Sequence, residues 1–333
     1  MNNRRSQYDI SNSVNVSDCQ QVQQAVLEIL DDVYPGFNTQ LLQKAFEDCH
    51  QLFEGEHPDY LPCDALYHDK QHTLDMTLAL SRLINGHDRS VTKEKRIGAD
   101  RAILGIITAL YHDSGYIRHK HDHKHHNGAE YTLTHVSRSA EYLQRYFHKI
   151  NRSELAQYSA NMVHYTGMEV APTQIKLPDQ QTHLVGHMLG TADLIAQMSD
   201  RCYLEKCYER LYIEFVLAGI AIQVDKNGKE HIIYGSAEEL LRKTPEFFEC
   251  EVKNRLNNIF NKVYQYEDNH FEGKYSYIQD LQNNQDRLVV ILDAGDFKLL
   301  RRRPPENYGT KTFPGLEAYL NQYPKKTAFL EAI

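Results

Sequence analysis

The stretch Ala109–Tyr116, ALYHDSGY, decides how this chain is read. It closes a strongly apolar run, Asp100–Tyr111, in which Ala102, Ile103, Leu104, Ile106, Ile107, Ala109 and Leu110 leave little polar surface. A helix of that composition belongs at the centre of a fold. His112 and Asp113 stand where it stops, ahead of Gly115. Neighbours in a regular helix diverge by about 100°. An adjacent His and Asp therefore reach one site only where the backbone leaves the helix. The partial negative charge at a helix C-terminus also favours a cation there.

Working outward, single histidines and an aspartate flank this pair in the order His72, His112-Asp113, His135, His164, Asp193. The gaps are 40, 23, 29 and 29 residues, each room for a helix and its connection. Imidazoles and carboxylates carried on four or five helices can converge inside a helical bundle. Such a set suits one or two divalent transition metals, Fe, Mn, Zn, Ni or Co. Eighteen histidines offer competitors: His126 for His135, and His183 or His187, an i,i+4 pair, near Asp193.

YHDKQH (Tyr67–His72), LYHDSGY (Leu110–Tyr116) and TADL (Thr191–Leu194) together resemble the HD-domain metal-dependent phosphohydrolases over about residues 65–200. The first piece is similar to the YHNxxH signature of cyclic-nucleotide phosphodiesterases, with Asp69 in place of Asn. His135 and His164 resemble the ligands added in the two-metal subgroup. The resemblance implies that His72, His112, Asp113 and Asp193 hold a first metal. It implies that Asp113 bridges to a second held by His135 and His164. A hydroxide between two metals is a strong nucleophile at neutral pH, and the pair clamps an in-line phosphoryl displacement. The resemblance puts His68 in the place of the general acid, since His titrates near working pH. Asp69 or another carboxylate orients it, or else Asp69 is simply the N-cap of the next helix.

The expected fold is all-α: an HD-domain core at residues 61–222, an N-terminal helical segment at 1–60 and a C-terminal helical extension at 223–333. Periodicity predicts helices over Cys19–Val33, Gln40–Phe53, Lys70–Leu83, Asp100–Tyr111, Ala129–Phe147, Arg152–Tyr165, Gln181–Met198, Tyr203–Ala221, Ala237–Arg242, Pro245–Tyr266, Tyr277–Leu300 and Leu316–Tyr323. Residues 1–18 read as polar and frayed, Gly55–Asp64 as a loop, and His231–Tyr234 after the turn DKNGK as a hairpin arm.

Composition narrows the function classes. A net charge of −8 argues against a general nucleic-acid binder but leaves a nucleotide substrate open, because metals supply local positive charge. The six cysteines contain no CxxC and fit reduced thiols in a cytoplasmic protein. The polar N-terminus lacks the apolar stretch of a signal peptide, and no apolar run is long enough to span a membrane. No glycine-rich phosphate loop or GxSxG elbow occurs. The histidine run His119–His126 reads as a solvated loop beside the site, with a lid or metal-recruiting role open. Arg201, Lys206 and Arg210 read as pairing with Glu205, Glu209 or Glu214, or as touching phosphate.

The leading expectation is therefore a hydrolase of a small phosphoester, nucleotide or cyclic-nucleotide-like. A di-iron oxygenase that cleaves a C–C or C–P bond is the first alternative, and a non-catalytic metal-binding regulatory module the second. The flanking helices leave room for a homodimer interface.

Overall fold

The computed structural model describes residues 4–224 and 229–323. The chain is all-α. Helices α1 (Cys19–Val33), α2 (Gln40–Glu54), α3 (Lys70–Ser90), α4 (Ala99–Tyr111), α5 (His135–Lys149), α6 (Ser153–Met162) and α7 (Gln180–Ser199) come first, ending at residue 199. There follow α8 (Tyr203–Lys206), α9 (Tyr212–Leu217), a two-stranded hairpin of β1 (Ile222–Val224) and β2 (Glu230–Ile232), and α10 (Ala237–Phe247). The last elements are α11 (Tyr266–Phe271), α12 (Tyr277–Ala294), α13 (Tyr308–Thr312) and α14 (Leu316–Gln322). Most of the hairpin turn, residues 225–228, lies outside the described residues.

The centre of the molecule is α3, which packs against α1, α4, α7 and α11 and is buried from Gln71 to Asp88. Its sequence is not uniformly apolar, so its polar side chains need partners inside. Arg82 donates to Asp9 and to the Tyr277 hydroxyl, each at 2.6 Å. Asn85 donates to the Ile29 carbonyl and to Asp32. The Thr77 and Ser81 hydroxyls donate back to Thr73 and Leu78 carbonyls of their own helix. Alongside it, α4 is buried from Ala102 to Tyr111, as its composition requires.

Several boundaries differ from those that periodicity predicts, for local reasons. Residues 129–147 are two elements. A 3-10 turn, Gly128–Tyr131, precedes α5, because the Thr132 and Thr134 hydroxyls bond back to the Ala129 and Tyr131 carbonyls and break the run. His135 thereby becomes the first residue of α5. The predicted helix Arg152–Tyr165 is α-helical only to Met162, and His164 sits on a following 3-10 turn, Val163–Tyr165. Residues 203–217 run continuously through a π-helical turn at Cys207–Leu211. Pro245 lies inside α10, and the stretch predicted as one helix to Tyr266 is wound in π turns at Phe248–Val252 and Arg255–Ile259. α12 stops at Ala294 because Gly295 adopts φ +60°.

The N-terminal arm is folded from Arg4 onward, in contrast to the frayed tail its polar composition predicts. Asp9 is 1% exposed and accepts from Arg82, the Ser11 hydroxyl and the Ser13 and Val14 amides. Arg4 reaches the Ser199 carbonyl and Asp280, each at 2.6 Å. Polar residues so engaged replace water rather than seek it.

The C-terminal segment returns over the loop before α3. Asn307 donates to the Leu66 carbonyl and to Asp69, and Gly309 lies so close to Asp64 and Ala65 that a Cβ would sit 2.5 Å from the Ala65 carbonyl. Tyr319 donates to Glu130. No helix among the described residues is long and apolar enough to cross a membrane.

Candidate metal centre

The site begins where α4 ends. Tyr111 is its last residue, His112 keeps helical dihedrals as the cap, and Asp113 turns to φ −104°, ψ 9°. That departure lets adjacent side chains converge. Two bonds pin the loop to α5: the Gly115 amide donates to Ser139 Oγ at 2.8 Å, and Arg138 donates to the Gly115 carbonyl at 2.7 Å. Gly115 has to be glycine, because a Cβ there would lie 1.9 Å from the His135 carbonyl oxygen.

His72 enters from the first turn of α3. Asp69 is the N-cap, its Oδ1 accepting from the His72 amide at 2.9 Å. Asp69 Oδ2 is taken by Asn307 and lies 3.5 Å from Arg210. Asp193 enters from the middle of α7, where Gly190 lets the helix approach the Tyr165 carbonyl and the Phe260 ring.

These elements bring four ligand-bearing side chains together. His72 Nε2 and His112 Nε2 are 3.3 Å apart. Asp193 Oδ1 is 3.1 Å from His72 Nε2 and 3.8 Å from His112 Nε2. Asp113 Oδ2 is 3.1 Å from His112 Nε2 and 3.6 Å from His72 Nε2. Donors bound at about 2.0–2.2 Å to one small cation stand about 3–3.5 Å from one another, close to the spacing among His72, His112 and Asp113, whereas Asp193 approaches the two histidines but falls outside that mutually close group. His112 Nδ1 donates to the Ala109 carbonyl at 2.8 Å, which leaves the Nε2 lone pair for a metal. Asp113 Oδ2 is buried with no hydrogen-bond partner. A buried carboxylate oxygen facing two imidazole nitrogens fits a bound cation. Burial alone would raise the Asp113 pKa, but His112, His68 and His72 hold the carboxyl well below the usual range. His72, His112 and Asp113 form a buried group able to hold a metal ion.

His135 lies on the far side of the same carboxylate. Its Nε2 is 3.8 Å from Asp113 Oδ1, and its Nδ1 donates to the Thr132 carbonyl at 2.6 Å. Asp113 thus turns one oxygen toward His72 and His112 and the other toward His135. His164 is not drawn into this cluster. It is partly buried, its Nδ1 has no hydrogen-bond partner, and its ion pair is with Glu169 Oε2 at 4.0 Å. The competing histidines are engaged elsewhere: His183 pairs with the Tyr165 hydroxyl, His187 packs on Tyr165 and Phe260, and His126 stacks on Tyr323.

His68 stands beside the cluster. Its Nδ1 is 2.6 Å from Glu214 Oε2, and the other Glu214 oxygen accepts from the Tyr67 and His68 amides. Glu214 is 0% exposed, on α9, so sequence separation conceals it as a partner. Burial alone would lower the His68 pKa, but Glu214, then Asp113 and Asp193, raise it to about 9. The ring stacks on Tyr116 at 4.5 Å, and Tyr116 stacks in turn on His135 at 4.5 Å. Asp69 is therefore the N-cap, and Glu214 is the carboxylate that orients His68.

The basic residues after Asp193 are tied into the structure. Arg201 donates to the Arg4 carbonyl, Lys206 to Asp200 and Gln71, and Arg210 to the Pro305 carbonyl. Of the predicted partners, Glu205 pairs instead with Arg287 and Glu214 with His68, while Glu209 feels the charge of Arg210. All six cysteines are free.

Compared with known proteins, the chain matches no family model, no curated protein and no solved structure.

Proposed function

We propose that this chain is a metal-dependent phosphohydrolase of the HD type, cleaving a phosphoester beside the His72–His112–Asp113–Asp193 cluster. The observation that carries the reading is the pairing of that cluster with a second, separate acid. His68 is oriented by buried Glu214, raised in pKa and placed beside the metal ligands. A structural metal site needs no such neighbour, whereas hydrolysis of a phosphoester needs both charge neutralisation and a proton for the leaving oxygen.

His72, His112, Asp113 and Asp193 would hold the first divalent ion, and His135 stands at the second oxygen of Asp113 for another. When bound, such an ion acidifies water and neutralises phosphoryl charge. The protein's own groups do the rest. Glu214 accepts from His68 Nδ1, which leaves Nε2 as the atom that delivers a proton to the departing oxygen. The buried walls around His112 and Asp113 keep bulk water from competing for these hydrogen bonds.

The leaving-group dependence of His68→Ala tests this. p-Nitrophenolate leaves without help, whereas an alkoxide needs a proton. With Mn²⁺ added, His68→Ala is expected to slow alkyl-ester cleavage by about 10²–10⁴-fold and p-nitrophenyl-ester cleavage far less. Equal losses on both substrates would refute the acid role. No hydrolysis by the wild-type chain, combined with substrate-dependent oxygen uptake by an iron-loaded sample, would favour the oxygenase.

A further inference from the structure

A cavity of about 260 Å³ opens from the His68–Tyr116–His135 rings and extends away from the metal ligands. Its far walls are Leu194 and Met198 of α7, Leu211, Phe215 of α9, and Leu240 and Phe247 of α10. The polar side chains along it are largely committed to the protein. Gln197 accepts from the Tyr67 hydroxyl, and its amide donates to the Asp193 carbonyl and Oδ1. The Thr132 and Thr244 hydroxyls donate to carbonyls of their own turns. Tyr234, also on the wall, packs its ring on Phe215. Lys243, on the exposed edge, is held by the Ile233 carbonyl and by Glu239. Tyr116 Oη is buried and unpartnered, and it lies at the metal end, where a phosphoryl group belongs.

A nucleobase placed here would lose water from its ring edge and find few donors or acceptors in exchange, so its burial would cost affinity. A hydrocarbon gains with each group buried. Resting on the hydrolase reading, we propose that the substrate is a phosphoester whose organic part is a hydrocarbon chain or ring, held in this cavity with the phosphoryl group at the metal end. At about 30 Å³ for each water-sized group, the space takes roughly nine carbon-sized units. The nucleotide-like substrate implied by the sequence resemblance does not suit these walls.

Calorimetric titration of the full chain loaded with Mn²⁺ tests the proposal without relying on turnover. The probes are ethyl-, butyl-, hexyl- and octylphosphonate, with a non-hydrolysable adenosine phosphonate for comparison. The expected Kd falls by about twofold to fourfold per methylene, and the adenosine compound binds no more tightly than ethylphosphonate. Phe247→Gln, at a side chain 43% exposed and so harmless to the core, and Phe215→Gln should each reduce the octyl advantage about tenfold. Ethylphosphonate binding should stay within about twofold of wild type, because its few carbons stop short of these walls. A flat chain-length series, an adenosine phosphonate that binds more tightly than octylphosphonate, or a gradient untouched by both substitutions would overturn the proposal. A preserved gradient in a protein that hydrolyses no phosphoester would instead overturn the hydrolase reading alone.

Discussion

Asp113 gives one carboxylate oxygen to His72 and His112 and the other to His135, so a single side chain sets the spacing of the whole centre. Its neighbour in sequence announced it: a His-Asp pair at the end of an apolar helix is legible without a structure. Glu214 was not legible as the partner of His68, because 146 residues separate them and no local pattern marks a carboxylate that will be buried. A second buried carboxyl, Asp75, shows what happens without such a partner. Its Oδ1 has no hydrogen bond, and the nearby cations are already paired, Arg82 with Asp9, Lys206 with Asp200 and Arg4 with Asp280. Burial, then Asp200 and Asp9, raises its pKa to about 7, against the pull of Arg4 and Arg82. A carboxyl raised on folding adds stability that is complete below the unfolded value of about 3.9 and is lost as pH rises through the folded one. From pH 5 to pH 8 the wild type should therefore lose on the order of 2 kcal/mol that Asp75→Asn retains. Urea denaturation of both proteins at the two pH values measures this. An identical pH dependence in the variant would contradict the assignment.

At the scale of elements, the ends of helices matter more than their lengths. The site is assembled from the C-terminus of α4, the first turns of α3 and α5, and the middle of α7. Hydrophobic periodicity located the bodies of these helices, since each must bury one face. It missed the break before α5 because that break is made by Thr132 and Thr134 hydroxyls bonding back to carbonyls, which apolar spacing does not register. It missed the π turn at Cys207–Leu211 for the same reason: one extra residue in a turn leaves the composition unchanged. At the site itself, the tight fit between elements is at Gly115 against the start of α5. Gly115→Ala would force the His135 backbone away from Asp113. The expected loss is about 1–3 kcal/mol of stability, as for overpacking generally, and it should come with reduced retention of any second metal equivalent. Equilibrium unfolding and metal analysis of the purified variant check both. Unchanged metal content and stability would show that α5 is free to shift without cost.

Across the whole molecule, the two ends of the described chain brace the site. The N-terminal arm anchors α3 through Asp9 and Arg82, and the C-terminal segment reaches Asp69, the N-cap behind His72, through Asn307. Arg255 holds the turn that bears His164 by donating to the Tyr165 and Gly167 carbonyls. The all-α class was legible from periodicity, but the order of residues 4–18 was not, because polar composition does not reveal which carboxylate will collect buried donors. The proposed function rests on the His72–His112–Asp113–Asp193 cluster acting as a catalytic metal centre. Its most direct test is hydrolysis of bis-p-nitrophenyl phosphate by the purified chain with Mn²⁺, beside Asp113→Ala, with bound metal quantified in both samples. Hydrolysis and bound metal are expected in the wild type, and both should be lost in a folded Asp113→Ala protein. Hydrolysis that survives in the variant, or a wild type that binds no divalent ion, would contradict it.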